Sequence, residues 1–174
     1  MIKWTYITNK DNSARYTLGE IGESNLICIG INPSTATPVK LDTTLKRVKR
    51  IADINGYDGW IMLNVYPQRD TYPENIDSIA NLDIIQDNNK AIKNILRDYE
   101  LRDIWAGWGV EITSRDYLKN CLFELYENFD DSFNWLHYGD LTNDGHPRHP
   151  SRMSYSDTFK PFGVENYIKK LKQK

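Results

Sequence analysis

Four short apolar runs, each ending in a polar or glycine-containing break, constrain the fold of this chain more than any other feature. They span residues 25–31, 59–67, 102–109 and 132–140. A continuous apolar run of this length is typical of a strand that is buried on both faces of a sheet. The runs therefore predict four core strands rather than strands with one face in solvent.

Segments with the helical spacing of apolar residues alternate with these runs. Three of them lie at residues 43–54, 76–100 and 114–128, and a fourth, at 162–172, follows a polar loop at 141–161. Asp42 or Thr43 is the expected N-cap of the first of these helices. Alternation of this kind predicts an α/β domain with right-handed crossovers between parallel strands. We expect a single-domain three-layer sandwich around a central, mostly parallel, four-stranded sheet.

The N-terminal segment has the pattern of a β-hairpin. Residues 3–8 and 14–18 flank the sequence "NKDNS", which is typical of a turn that contains Asn and Asp. We place this hairpin within residues 1–22. A length of 174 residues suits one domain, so we expect residues 1–174 to fold as a single unit.

Charge and cysteine content exclude several classes of protein. A net charge of −2 excludes a protein that coats nucleic acid non-specifically, because such proteins are basic overall. Cys28 and Cys121 lie in apolar runs, which indicates buried thiols in a reducing compartment. No stretch has the pattern of a signal peptide, a membrane span or a zinc site. We therefore expect a cytoplasmic protein with no membrane partner, no metal and no cofactor.

The breaks at the ends of the four runs carry the polar residues of greatest interest. They are Asn32-Pro33-Ser34, Asn64 to Pro67, Trp108-Gly109, and the loop that carries His146 and His149. Ligands of open parallel sheets bind beyond the carboxyl ends of the strands. We therefore expect the four breaks to converge on one edge of the sheet and to form a site there.

These motifs resemble those of the uracil-DNA glycosylase superfamily. "GINPS" at 30–34 resembles its first motif, "GWIMLN" at 59–64 its second strand, "WG" at 108–109 the end of its third strand, and "HPS" at 149–151 the motif after its fourth. The resemblance covers about residues 25–170 and implies a uracil-DNA-glycosylase-like α/β fold. The chain resembles more closely still a small bacterial and phage family known only as a domain of unknown function.

The resemblance implies catalytic roles for Asn32 and His149. Asn32 would orient the water that attacks the sugar, although its neutral amide is not a strong base. His149 would donate a hydrogen bond to the base carbonyl and stabilise its developing negative charge, and His146 is the alternative for this position. Asn64 would read the edge of a flipped pyrimidine, and Ser151 would hold a backbone phosphate.

The superfamily also stacks an aromatic ring on the bound base, and the basic and hydroxyl residues near the motifs suit phosphate. Tyr66 and Trp108 are the candidates for the aromatic ring. Besides Ser151, the expected phosphate contacts are Ser34, Thr35, Arg47, Arg148 and Arg152.

Three functions stay open at this stage. The first is hydrolysis of an N-glycosidic bond of a pyrimidine or modified pyrimidine, in DNA or in a nucleotide. The second is a module that binds a nucleotide or modified base without turnover, so the expected partner is nucleic acid or a nucleotide. The third is a hydrolase that pairs Ser34 with His149, which lacks a GxSxG elbow and an orienting acid. The oligomeric state stays open as well.

Overall fold

One mixed sheet organises the computed structural model, which describes residues 3–173. Within that range the sheet has seven strands. In chain order they are β1 (Lys3–Thr8), β2 (Arg15–Ile21), β3 (Asn25–Gly30), β4 (Gly59–Asn64), β5 (Asp103–Ala106), β6 (Asn134–Tyr138) and β7 (Phe159–Pro161). Their order across the sheet is β1-β2-β4-β3-β5-β6-β7. The expected α/β class is confirmed.

The sheet is larger than the four strands predicted. Strands β4, β3, β5 and β6 pair in parallel. The hairpin β1–β2 joins the sheet, because β2 pairs antiparallel with β4. At the other end, β7 pairs antiparallel with β6, within the segment that the sequence predicted to be loop. The predicted four-stranded sheet is therefore replaced by a mixed sheet of seven strands.

The described residues also contain four α-helices. They are α1 (Thr43–Ile54), α2 (Leu82–Asp98), α3 (Asp116–Tyr126) and α4 (Val164–Lys172). Short 3₁₀ turns lie at Pro73–Asn75, Val110–Thr113 and Pro150–Arg152. The helix predicted at 76–100 begins six residues later, because the side chain of Asn81 accepts hydrogen bonds from the first-turn N–H groups of Asp83 and Ile84.

Alternate side chains of the central strands bury two separate cores. Leu26 and Cys28 of β3 pack in the core that contains the buried face of α1. Ile27 and Ile29 pack in the core that contains α2, α3 and α4. Because side chains alternate across a strand, helices cover both faces of the sheet. Polar side chains with access to solvent are therefore expected at the ends of the central strands rather than within them.

Two further sequence expectations concern thiols and membranes. Cys28 and Cys121 are both free and buried, and burial raises the pKa of the Cys121 thiol to about 12. Between residues 3 and 173, no helix combines the length and the apolar character that a membrane crossing requires.

Helix α1 begins at a side-chain cap, as its sequence predicts. Asp42 Oδ1 accepts a hydrogen bond from the Leu45 N–H at 2.8 Å. After Asn55 the chain turns at Gly56, which has a φ of +86° that favours glycine. The cap fixes the start of α1 at the carboxyl edge of the sheet, where the site lies.

The cap can be tested by comparing two substitutions. We expect Asp42→Ala to have a free energy of unfolding about 1 kcal/mol below that of Asp42→Asn, because only asparagine keeps the N-cap acceptor. Both variants lack the carboxylate charge, so the comparison isolates the cap. Urea denaturation followed by circular dichroism measures the difference. Equal stability of the two variants would contradict a capping role.

Candidate functional site

Three of the four polar breaks contribute to a cleft at the carboxyl edge of the parallel strands, whereas residues 64–67 of the remaining break do not line it. The cleft has a volume of about 780 Å³. Its walls come from the segments that follow β3, β4, β5 and β6, and from the first turn of α1. Seven of the predicted site residues line it: Asn32, Ser34, Trp108, Arg148, His149, Ser151 and Arg152.

Asn32 presents an acceptor to this cleft. Its Nδ2 donates to the carbonyl oxygens of Pro33 at 3.2 Å, Gln68 at 3.4 Å and Asp70 at 3.0 Å. All three partners can only accept, so the amide cannot be flipped without losing these bonds. Oδ1 receives no hydrogen bond from any residue in the range 3–173 and is left to accept one from water or a ligand.

His149 presents a donor instead. Its Nδ1 accepts a hydrogen bond from the Ser151 N–H at 3.3 Å and lies 2.8 Å from Ser151 Oγ. A backbone N–H can only donate, so Nδ1 is unprotonated and the neutral ring carries its hydrogen on Nε2. Burial lowers the pKa of His149 to about 4, with the charge of Arg152 lowering it and that of Asp42 opposing the shift. The ring is therefore a neutral hydrogen-bond donor at physiological pH.

Close backbone approach and an arginine hold the His149 segment in place. A Cβ at Gly107 would lie 3.2 Å from Pro150 Cδ, and one at Gly109, where φ is +70°, would lie 3.3 Å from His149 Cβ. From α1, Arg47 Nη1 donates to the carbonyl oxygens of Ser151 and Met153, each at 2.9 Å. Arg47 lies outside the cleft lining, where it clamps this segment to α1.

Asn64 does not line the cleft. It is completely buried, and neither Oδ1 nor Nδ2 has a hydrogen-bond partner in the described part of the chain. A Cβ built on Gly30 would lie 3.2 Å from Asn64 Oδ1 and 2.5 Å from Met62 Cε. Met62 lines the cleft, whereas Asn64 does not. The structure therefore buries the Asn64 amide without exposing it to the cleft.

Neither candidate stacking ring is exposed. Tyr66 is fully buried outside the cleft lining, where its hydroxyl donates to Asp77 Oδ2 at 2.8 Å. Trp108 lines the cleft, yet its side chain is fully buried and its Nε1–H donates to the Tyr167 hydroxyl at 3.0 Å. Core contacts hold both rings in place. Stacking of either ring on a base therefore stays a prediction, and it would require that ring to move.

His146 belongs to a different part of the molecule. The Tyr167 hydroxyl accepts from Trp108, so it can donate its own hydrogen to His146 Nδ1, which lies 2.8 Å away. His146 is buried and does not line the cleft. Of the two histidines that the sequence left open, His149 is therefore the one that faces the cleft.

The remaining predicted phosphate contacts lie at the rim. Ser34 Oγ lies 3.2 Å from Thr71 Oγ1, and Thr35 is exposed outside the lining. Arg148 Nε donates to the carbonyl oxygen of Asp140 at 2.9 Å, while Arg152 is exposed. No described hydrogen bond joins Ser34 to His149, which is the contact that the serine hydrolase hypothesis requires.

The sequence did not identify several residues that line the cleft. Arg15, Asp42, Met62, Asp70 and Glu111 all contribute to its walls. Of these, sequence patterning assigned only Asp42 a role, as a helix cap. An arginine at the start of a hairpin strand carries no signal of its own, because its burial depends on loops distant in sequence.

Comparison with known proteins gives one result. The family model described as "Protein of unknown function (DUF1643)" matches residues 15–151. Neither a search of curated proteins nor a search of solved structures gives a significant match. The resemblance to a family of unknown function is thus confirmed, and the resemblance to uracil-DNA glycosylases stays a prediction. The match begins at Arg15 and ends at Ser151, and it includes every predicted site residue except Arg152.

The protonation state of His149 gives a test by NMR. We expect its ring to titrate with a pKa of about 4 and to carry hydrogen on Nε2 above that pH. A histidine in the unfolded chain titrates near pH 6.5. Between about pH 6.5 and pH 4 the unfolded chain therefore binds a proton that the folded chain does not. The free energy of unfolding falls as the pH is lowered through that window. Ring ¹⁵N shifts measure both properties. Titration near 6.5 would contradict the assignment.

The unpartnered amide of Asn64 gives a test by unfolding. We expect Asn64→Leu to raise the free energy of unfolding by about 1–3 kcal/mol, because it removes two buried polar groups without partners at similar volume. Urea denaturation measures the change. The matched control is Asn88→Leu, which should destabilise the protein, because Asn88 Nδ2 donates to the Asn64 carbonyl oxygen at 3.0 Å. Loss of stability in Asn64→Leu would show that the amide is paired.

Proposed function

This chain belongs to the protein family DUF1643, and we propose that its cleft recognises a pyrimidine base and hydrolyses the N-glycosidic bond that joins the base to its sugar. The order of the four motifs, which resembles that of uracil-DNA glycosylases, motivates the choice of ligand. The arrangement of Asn32, Asn64 and His149 at one edge of the sheet supports it.

The observation that carries this proposal is the buried amide of Asn64. A buried polar group without a partner costs about 1–3 kcal/mol, and this side chain contains two such groups. An amide offers a donor and an acceptor side by side, which matches the edge of a pyrimidine that presents both. A base in the cleft would therefore satisfy the amide, provided that Met62 moves aside. Methionine suits this movement, because its unbranched side chain adopts many rotamers.

The chemistry follows from one acceptor and one donor. Asn32 Oδ1 accepts a hydrogen bond from a water and orients it toward the sugar carbon. The water oxygen bonds to that carbon, and the electrons of the C–N bond leave with the base. The Nε2–H of His149 donates to the base carbonyl and stabilises the departing anion. The anion then takes up the proton that the water releases to solvent.

The same features predict slow turnover. The Asn32 amide cannot take a proton from water, and a general base contributes about 10²- to 10⁴-fold in rate when one is present. The lowered pKa of His149 makes that ring a weak base as well. These two observations favour the second candidate function, in which the cleft binds a nucleotide or modified base without hydrolysing it.

The proposal is tested by looking for released base. Single- and double-stranded oligonucleotides that carry uracil, mismatched thymine or a modified pyrimidine, and the matching free nucleotides, are incubated with the protein. Chromatography then measures the free base, and alkaline cleavage measures abasic sites. We expect release to fall by at least about 100-fold in Asn32→Ala and in His149→Ala. Asn89→Ala is the control, because that amide lies on α2 and bonds to Glu124.

The outcomes separate the two candidate functions. Binding by calorimetry without release of base would contradict hydrolysis and favour the binding module. Retention of all nucleotide binding in Asn64→Ala would contradict the assignment of the cleft as a base-recognition site.

A further inference from the structure

One buried side chain that lines the cleft is charged and has few hydrogen-bond partners. Arg15 lines the cleft at the start of β2, and its side chain is only 1% exposed. Of its five N–H groups, one donates to the carbonyl oxygen of Ala36, at 3.2 Å from Nη1. Its Nε is buried without a partner, and it forms no ion pair with an Asp or Glu of residues 3–173. A buried, largely unpaired guanidinium is costly in the free protein.

A second arginine increases that cost. Arg69 Nη1 donates to the carbonyl oxygens of Ser34 and Ala36, and Nη2 donates to the Tyr6 hydroxyl at 2.8 Å. Arg15 and Arg69 therefore approach each other at one carbonyl, that of Ala36. Burial and the charge of Arg69 together lower the pKa of Arg15 to about 10, so its guanidinium stays charged at neutral pH. Arg69 lies outside the cleft lining and serves to hold the loop, whereas Arg15 keeps donors for a ligand.

The surroundings of Arg15 offer further N–H groups to an anion and contain three acidic side chains, of which Asp42 is the one that affects the pKa of Arg15. The first turn of α1 lines the same cleft through Thr44, and N–H groups at the start of a helix favour anions. Asp42 raises the pKa of Arg15 from nearby, although the two form no ion pair and Asp42 Oδ1 is taken by the helix cap. Asp70 also lines the cleft, and its Oδ1 accepts from the Tyr72 N–H at 2.9 Å. The third acid of the lining is Glu111.

We infer that Arg15 forms an anion subsite in the cleft and binds a phosphate group of the ligand. A guanidinium can offer two parallel N–H groups to phosphate, and a bond to a charged partner is stronger than one between neutral groups. The ligand is thereby assigned to the class of phosphorylated compounds, either a nucleotide monoester or a backbone diester. The inference does not depend on hydrolysis of the N-glycosidic bond, because an anion subsite serves a binding module equally well.

Calorimetry on the full chain tests this subsite. Three phosphate-containing probes are titrated: inorganic phosphate, a pyrimidine nucleoside 5′-monophosphate and a short single-stranded oligonucleotide. The unphosphorylated nucleoside is the reference. We expect Arg15→Lys to weaken binding of the preferred phosphate probe by about tenfold, because lysine keeps the charge but loses the paired donors. Arg97→Lys on α2, whose side chain is 69% exposed and paired with Asp98, is the matched control and should bind as the wild type does.

A second variant keeps the test valid if Arg15→Lys does not fold. Asp42→Asn removes the opposing charge while it keeps a capping side chain, so we expect it to bind phosphate at least about threefold more tightly. Preference for the monophosphate identifies a nucleotide ligand, and preference for the oligonucleotide identifies a backbone phosphate; both support the subsite. Absence of binding of every phosphate probe, or equal affinity in wild type, Arg15→Lys and Asp42→Asn, would overturn it.

Failure of this inference is distinguishable from failure of the proposed function. Nucleoside binding that is lost in Asn64→Ala but unchanged in Arg15→Lys would support base recognition and overturn the phosphate subsite. Phosphate binding that is lost in Arg15→Lys but unchanged in Asn64→Ala would support the subsite alone.

Discussion

Burial of β3 on both faces is the constraint on which the rest of the structure depends. All six residues of Asn25–Gly30 are buried, with β4 on one side and β5 on the other. Such a strand has no solvent-facing side on which to carry functional groups, so the first polar side chain with access to solvent is Asn32, after the strand ends. The same argument applies to Ile104, Trp105 and Ala106 of β5, which are all buried. The cleft lies at the carboxyl edge of these strands, where α1 and four connecting segments line it.

The polar groups at this edge differ in which hydrogen-bonding atoms they leave without a partner. Asn32 has used its donors and keeps an acceptor, whereas His149 has used its acceptor and keeps a donor. Asn64 and Arg15 are buried polar groups with few or no partners. Unsatisfied buried groups are rare in folded proteins and often indicate a binding or catalytic role. Their proximity to one cleft makes a shared ligand the simplest physical explanation.

The sequence predicted much of the architecture but only part of the site. The apolar runs and helical spacing identified the α/β class, and Asp42 was one of two predicted caps of α1, because N-caps depend on residues that are adjacent in the chain. Strand β7 was missed because three residues that end in Pro161 carry no alternation. Arg47 was predicted to bind phosphate, yet it clamps the His149 segment, and the carbonyl oxygens it contacts have no signature in sequence. The burial of the Arg15 and Asn64 side chains likewise depends on packing between distant segments.

The clamp made by Arg47 has a mechanical consequence. It joins α1 to the His149 segment, while Arg15 and Arg69 hold the 34–36 loop through its carbonyl oxygens. Arg15 and His149 lie near opposite ends of the chain, and both line the cleft. A ligand that contacts both residues would act as a reversible cross-link between the ends of the chain. Local unfolding of either segment would then require that the ligand dissociate first. Resistance of these segments to local unfolding would therefore increase with occupancy of the cleft by the ligand.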